Sequence, residues 1–363
     1  MASNIITISS SLVLAVIVSL TVQIFYFSPI DPLPLELPPS SSTPGNQLQQ
    51  NITKLGEGAL KDPEDVCVDN DGTLYAATRD GWIKRLPRNN ENWENWKHID
   101  SNTLLGIAAS KDGGLFVCDV EKGLFKVTED GFSLLLSQVN GSRLSFADDV
   151  IEASDGIVYF SVASTKFGLH NWYLDVLEAR PNGQLLMYNP YTNEVDIVID
   201  KLHFPNGVAL SKDEDYLLVS ETWKSRVLRY WLKGANKGKT DIFIENLPGG
   251  PDNINLAPDG SFWIALIRVT LNLQTIEGLE FVHKYKVIKR MLATFPRLYK
   301  VINGATKKAM IVKVRTDGNI IKMFSDNNGK VMNFVTSALE FEDHVYLGSL
   351  NSNFVGKLPL HSD

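Results

Sequence analysis

Four oxygen-bearing side chains recur at one position of a repeated pattern and are the residues best suited to chemistry. The pattern occurs six times, and its first position holds Glu64, Leu105, Asp148, Asn206, Asp252 and Ser337. Three carboxylates around one apolar centre repel each other unless a cation lies between them. Carboxylate and amide oxygens select a hard cation, which predicts Ca²⁺ at Glu64, Asp148, Asn206 and Asp252. The alternative is a structural ring of polar residues, because Asp and Asn also form turns where strands begin.

Each repeat has the pattern of two short strands joined by a turn. Asp71-Gly72 follows seven residues after Glu64, and Asp155-Gly156 and Asp259-Gly260 hold the same place in their repeats. Asp-Gly indicates a hairpin, because Gly adopts the positive φ that the turn requires. The sixth repeat is read as one residue shorter, with Asp343 six residues after Ser337.

A third strand follows each hairpin and a fourth follows five of them. The sixth repeat has no segment for a fourth strand, and Leu48–Leu55 is expected to supply this outer strand from the N-terminal side of the repeats. This predicts an all-β fold, a six-bladed β-propeller with four strands per blade and a ring closed by N- and C-terminal strands. The first strand of each blade then lines a central channel and brings the four oxygen-bearing side chains around one axis. A single propeller domain is assigned to residues 47–363.

Two helical insertions, in blades three and five, are expected to cover a mouth of the channel. The first, Ser164–Pro181, predicts a short helix at Trp172–Ala179 and contains His170. His170 is a candidate general base, and the alternative is an exposed or capping histidine. The second insertion is Arg268–Lys308. Residues 284–315 hold ten Lys or Arg and no Asp or Glu, with apolar residues at helical spacing, which is typical of a membrane-surface face or of a solvated lid.

The N-terminus differs in composition from the rest of the chain. Residues 1–30 carry no charged side chain, and Leu12–Phe27 is almost wholly apolar. This stretch predicts a hydrophobic helix that acts as a signal-anchor or a cleaved signal peptide, followed by a Pro/Ser linker at residues 31–46. Asn51 and Asn140 begin Asn-x-Ser/Thr sequences and are candidate glycosylation sites. The expected location is the secretory pathway, in the lumen of an endomembrane compartment such as the vacuole or the ER, membrane-anchored or secreted.

Charge and cysteine content exclude other classes of function. The net charge of −7 and pI near 5.5 argue against a nucleic-acid partner, because phosphate binding needs a basic surface. Two cysteines cannot form a disulfide framework, and there is no Cys-x-x-Cys pair for zinc. Cys67 and Cys118 are expected to be buried free thiols, although an oxidising compartment would also allow them to pair.

Two motifs carry a resemblance to a known family. Phe204-Pro205-Asn206-Gly207-Val208 and Leu247-Pro248-Gly249-Gly250-Pro251-Asp252-Asn253-Ile254 resemble the strictosidine synthase-like family of plants and the related adipocyte plasma membrane-associated proteins. The wider superfamily includes paraoxonases and gluconolactonases. Those are Ca²⁺-dependent esterases, lactonases and phosphotriesterases with a Glu-Asn-Asn-Asp metal set, which Glu64, Asn206 and Asp252 match while Asp148 replaces an Asn.

The resemblance implies a metal-dependent hydrolase of esters or lactones, acting on a small-molecule substrate. One alternative is the Pictet–Spengler condensation of tryptamine with secologanin that strictosidine synthase performs. The glutamate that takes the amine proton there aligns with Thr336, and threonine is no base at neutral pH. The other alternative is a non-catalytic, membrane-anchored binding propeller.

Overall fold

The computed structural model describes the backbone of residues 2–36, 45–267, 270–271, 282–298, 303–304 and 308–360. Side chains are described for 11–36, 45–267, 282–298 and 308–360. Residues 37–44 of the predicted linker and parts of the second insertion, among them Tyr299 and Ile302, lie outside these residues. The chain divides into two compact units: Met1–Glu36, Trp172–Arg180 and Thr270–Gly304 form one, and Leu37–Asn171, Pro181–Val269 and Ala305–Asp363 form the other.

The larger unit is the six-bladed β-propeller that the repeat predicts, with four antiparallel strands in each sheet. Blades one and two contain Asp65–Val68, Leu74–Ala77, Trp82–Leu86 and Glu94–His98, then Leu104–Ala109, Leu115–Asp119, Gly123–Thr128 and Gly131–Leu136. Blades three and four contain Ala147–Glu152, Val158–Val162, Gly183–Asn189 and Glu194–Leu202, then Pro205–Leu210, Tyr216–Glu221, Arg226–Trp231 and Thr240–Ile244. Blades five and six contain Gly250–Leu256, Phe262–Ile267, Ala309–Val314 and Ile320–Asp326, then Val335–Phe341, His344–Ser349, Val355–Pro359 and Thr53–Leu55.

The sixth sheet takes its outer strand from the N-terminal side of the unit. Thr53–Leu55 pairs antiparallel with Val355–Pro359, so that Thr53 lies opposite Lys357. The strand is shorter than the segment predicted to supply it, because Leu48–Asn51 forms one turn of helix. Leu48 is fully buried in the core between blades five and six.

Apolar side chains fill the space between each pair of neighbouring sheets. Strand Val158–Val162 shows how this follows from alternation: Phe160 packs with side chains of blade two, and Tyr159 packs with side chains of blade four. A further cluster joins blade six to blade one through Tyr346 and Val66. Cys67 and Cys118 are both buried in such clusters as free thiols, as expected.

Short elements interrupt the propeller. A two-stranded hairpin pairs Gln138–Val139 with Ser142–Arg143. Single turns of 3₁₀ helix occur at Leu169–Asn171, Thr222–Lys224 and Gly234–Asn236.

The described residues of the smaller unit include the helices Ala2–Tyr26, Trp172–Glu178 and Lys286–Thr294 and the paired strands Thr270–Leu271 and Asn303–Gly304. The helix at Trp172 ends one residue earlier than predicted. Counting only residues whose side chains are described, none of the helices is long and apolar enough to cross a lipid bilayer.

A glycine at the start of an inner strand allows two blades to approach closely. A Cβ atom on Gly207 would lie 2.4 Å from the backbone nitrogen of Ile254 in blade five. We therefore expect Gly207→Ala to lower the free energy of unfolding by about 1–3 kcal/mol through overpacking. Denaturant unfolding measures this effect. Gly168→Ala is the control, because a Cβ there meets nothing within 4 Å, and an equal loss in both variants would contradict the steric explanation.

Candidate metal and active site

The inner strands of the blades are distorted where the four candidate ligands lie. In blade three the register shifts between Ala147, opposite Val162, and Val150, opposite Phe160. The same shift occurs at the start of the inner strands of blades two, four, five and six. A β-bulge of this kind re-aims side chains, so that two successive residues are available at the channel where simple alternation offers one.

The register corrects the sequence alignment of the sixth repeat. Val335 lies opposite Ser349, as Ala147 lies opposite Val162, so Thr336 and not Ser337 is the equivalent of Asp148. Thr336 also lies seven residues before Asp343, which is the spacing of the other repeats. The sixth repeat is therefore not one residue shorter. The seven-residue spacing shared by all the repeats is the sequence signal that indicates Thr336 as the first position.

Glu64, Asp148, Asn206 and Asp252 come from four different blades, and each is at most 5% exposed. Their charges act on one another, since Asp148 and Asp252 raise the pKa of Glu64 and Asp148 raises the pKa of Asp252. A side-chain hydrogen bond joins Asn206 to Asp252. The structure therefore groups all four predicted ligands in one buried region.

Asn253 is a member of this group that the sequence reasoning missed. Its Nδ2 donates to Glu64 Oε1 over 3.0 Å, although the two residues belong to blades five and one. Alternation would turn the residue after Asp252 away from the channel, and the bulge between Pro251 and Ile254 removes that alternation.

Three buried oxygen atoms in the group accept no hydrogen bond from the described residues. They are Glu64 Oε2, Asn206 Oδ1 and Asn253 Oδ1. Buried acceptors are normally satisfied, and an unpartnered one is costly. One carboxylate and two amide oxygens are the ligand types of a hard cation, so the donor chemistry fits Ca²⁺.

Burial raises the pKa of each candidate carboxyl group. Removal from water is the largest cause for Glu64, Asp148 and Asp252, and neighbouring carboxylates add to it. In the part of the chain that the structure describes, no ion pair within 4.0 Å includes any of the three. Half-buried Arg79 experiences the charge of Glu64 without an ion pair to it.

The carboxylates do not form a complete site by themselves. Across the described ranges, no three His, Cys, Asp or Glu side chains are grouped so that they could hold a metal ion. The amide oxygens of Asn206 and Asn253 are further oxygen donors beside the carboxylates.

Two further aspartates hold the inner strands together. Asp65 Oδ2 accepts from the backbone of Ile107 over 3.0 Å, and Asp149 Oδ2 accepts from the backbone of Val208 over 2.7 Å. Each bond crosses to the next blade. Burial raises the pKa of Asp65 to about 6, although hydrogen bonds from Ser337, Ile107 and Val66 lower it.

Thr336 supports the strand start that carries Glu64. Its buried hydroxyl donates to the backbone carbonyl of Glu64 over 2.6 Å. A hydroxyl with this bond positions Glu64 and supplies no base.

The remaining predicted site residues lie elsewhere. The His170 side chain is 76% exposed and lies 3.9 Å from Glu121, with no described contact to the buried carboxylates. Asn140 is exposed at the tip of the short hairpin with a φ of 50°, and Asn51 is exposed at the end of the helix before Thr53.

Comparison with known proteins identifies relatives over most of the chain. Residues 148–235 match the family described as strictosidine synthase, and residues 45–86 match the strictosidine synthase-like N-terminal family. The chain is 34% identical to the mouse adipocyte plasma membrane-associated protein over 358 residues, covering 92% of this chain and 85% of the mouse protein. It is 31% identical to strictosidine synthase-like protein 4 of Arabidopsis thaliana over 313 residues, covering 84% of this chain and 81% of the plant protein.

Solved structures are similar in fold. A gluconolactonase from Xanthomonas campestris superposes with a TM-score of 0.60 at 16% identity, covering 92% of this chain and 99% of that one. A luciferin-regenerating enzyme superposes with a TM-score of 0.56 at 15% identity, covering 85% of this chain and 94% of that one. At these identities the similarity concerns the propeller fold alone.

The buried carboxylates predict that the metal-free protein loses stability as the pH rises. Folding raises the pKa of Asp65 to about 6, so the folded state binds more protons than the unfolded state between about pH 4 and pH 6. The raised values of Glu64, Asp148 and Asp252 extend this loss to higher pH. A divalent cation should reverse it, by about 2.7 kcal/mol at a concentration one hundred times Kd.

Thermal melts in chelator and in Ca²⁺, at acidic and at neutral pH, test this prediction. We expect Ca²⁺ to raise the Tm at neutral pH and to have less effect in acid, where protons compete for the oxygens. Identical Tm values with and without Ca²⁺ at both pH values would contradict a metal site.

Proposed function

The chain belongs to the strictosidine synthase-like family, and from that premise we propose that it is a metal-dependent hydrolase of small esters or lactones. In this proposal Ca²⁺ is held at the centre of the propeller by Glu64, Asp148, Asn206, Asp252 and Asn253. The three unpartnered oxygen atoms carry the proposal: they are buried in a region of carboxyl groups of raised pKa, and buried acceptors without a partner are costly in a purely structural ring.

The described hydrogen bonds orient these ligands. Asn253 donates to Oε1 of Glu64. This leaves Oε2 of Glu64 and Oδ1 of Asn253 for a cation. The bond between Asn206 and Asp252 likewise leaves the carbonyl oxygen of Asn206 for a cation. When bound, the cation would polarise a carbonyl or phosphoryl oxygen as a Lewis acid.

A hydrolytic activity agrees better with these residues than a Pictet–Spengler condensation does. The condensation needs a base for the amine, and the aligned Thr336 is buried and bonded to the Glu64 carbonyl. The gluconolactonase with the same fold is, by its name, a lactone hydrolase, which supports the choice of substrate class.

We further propose that the protein resides in the secretory pathway, in a membrane-associated form. The name of its animal relatives refers to the plasma membrane, and Asn140 has the exposure that a glycosylated residue needs.

The first test of the proposal is hydrolysis of aryl esters and aliphatic lactones by the purified protein. We expect turnover that a chelator abolishes and Ca²⁺ restores. Asp252→Ala should abolish both the turnover and Ca²⁺ binding, because it removes a carboxylate from the ligand set. The control is Asp71→Ala, in an exposed turn of blade one, which should retain both.

The outcomes of this test separate the alternatives. Ca²⁺ binding without turnover of any substrate would favour a non-catalytic binding propeller. A loss of stability in Asp252→Ala that is equal in chelator and in Ca²⁺ would favour a structural polar ring, since removal of one repelling carboxylate should not destabilise the metal-free protein.

A second prediction concerns strictosidine. Incubation with tryptamine and secologanin should give no enzyme-dependent product, because loss of a general base costs about 10²–10⁴-fold in rate. Chromatography with mass detection measures the product. Substantial strictosidine that requires the folded protein would refute the role assigned to Thr336.

A further inference from the structure

The helix Lys286–Thr294 in the smaller unit buries a lysine and exposes an apolar side chain. Lys289 lies on its buried side together with Leu292 and Ala293. Val287 is 51% exposed, and Met291, one turn further, is half-buried. A helix on a water-soluble surface normally buries its apolar face and exposes its charges, so this arrangement needs another explanation.

The buried lysine has a definite structural partner. Lys289 Nζ donates to the backbone carbonyl of Leu33 over 2.6 Å, and burial lowers its pKa to about 8. The inward lysine therefore fixes the segment that follows the N-terminal helix. It does not account for the apolar side chains that face outward.

Cationic and aromatic side chains surround the exposed apolar residues. Tyr285 and Leu298 are exposed, and so are Lys284, Lys286 and Arg297. Residues 282–298 contain no Asp or Glu, although the whole chain has a net charge of −7. An apolar stripe flanked by cations and an aromatic ring is typical of a helix that lies in the headgroup region of a membrane.

The same unit presents a second apolar surface. Leu14 in the N-terminal helix is exposed, and so is Phe27 just beyond the end of that helix. Asp31, close to that end, forms ion pairs with Arg180 and with Arg290, the latter over 3.1 Å. The Arg290 guanidinium also lies 5.8 Å from the centre of the Phe25 ring. These contacts fix the end of the apolar helix beside the cationic helix.

From this geometry we infer that the surface formed by Lys284–Leu298 docks on a lipid bilayer with anionic headgroups, beside the place where the N-terminal helix meets the same bilayer. Val287, Met291 and Leu298 enter the interface, and Lys284, Lys286 and Arg297 contact phosphate and carboxylate headgroups. The apolar N-terminal helix favours a bilayer, and the cationic rim favours its anionic lipids.

The experiment uses the full chain with Val287→Cys, labelled with an environment-sensitive fluorophore. Labelling is selective because Cys67 and Cys118 are buried. We expect a blue shift, and quenching by lipid-borne nitroxide, with vesicles of phosphatidylcholine and phosphatidylserine and much less with phosphatidylcholine alone. The same label on Tyr191→Cys, at a position 76% exposed in blade three, should show neither change.

Charge variants separate this surface from the N-terminal helix. In Lys284→Gln/Lys286→Gln/Arg297→Gln the label at 287 should lose its response to phosphatidylserine while the chain still floats with vesicles. The control Lys212→Gln/Lys237→Gln/Lys239→Gln, which changes exposed lysines of blade four, should keep the response.

Two results would overturn the inference. The first is a label at 287 that remains in water on anionic vesicles to which the chain is bound. The second is efficient crosslinking between the 287 positions of two copies in the absence of lipid, which would assign the surface to self-association.

Discussion

The structure depends on negative charge that is removed from water at the centre of the ring. Five carboxyl groups are buried there: Glu64, Asp65, Asp148, Asp149 and Asp252. Asp65 and Asp149 are stabilised by backbone N–H donors of the next blade. The other three are left with amide neighbours and with one another, and such groups take up a proton or a cation. The pH dependence of the free energy of unfolding and the proposed chemistry of the site thus involve the same few carboxyl groups.

The backbone around these groups is built to bring them together. A bulge at the start of each of five inner strands interrupts the ladder where the side chains are needed. Gly106 and Gly207 occupy second positions in two of these bulges, and in each case the neighbouring inner strand lies where a Cβ would be. The close approach of the strands is therefore a condition for the site, and larger side chains there would separate the blades that hold it.

The repeat made most of the fold predictable, because alternating strands and Asp-Gly turns are local signals. The burial of Glu64, Asp148, Asn206 and Asp252 followed from their shared repeat position. Asn253 did not, since a bulge is invisible to a rule of simple alternation. The register of the sixth repeat was wrong by one residue, because its first position was placed at Ser337 and not at Thr336, which has the regular spacing to Asp343. Equally, no pattern in the sequence indicated that Lys289 points inward, since the partner that it bonds, Leu33, lies far away along the chain.

The outer strand of blade six has a consequence for how the molecule is made. Thr53–Leu55 is synthesised before blades one to five, and its partner Val355–Pro359 is synthesised after them. Blades one to five can form their ladders in the order of translation, whereas the sixth cannot be completed until Val355–Pro359 has been synthesised. Until then the nascent protein displays an unpaired strand and an open edge at the same time. During this interval the open edge can pair with other chains and aggregate. Chaperones that cover the edge would therefore assist the folding of this topology.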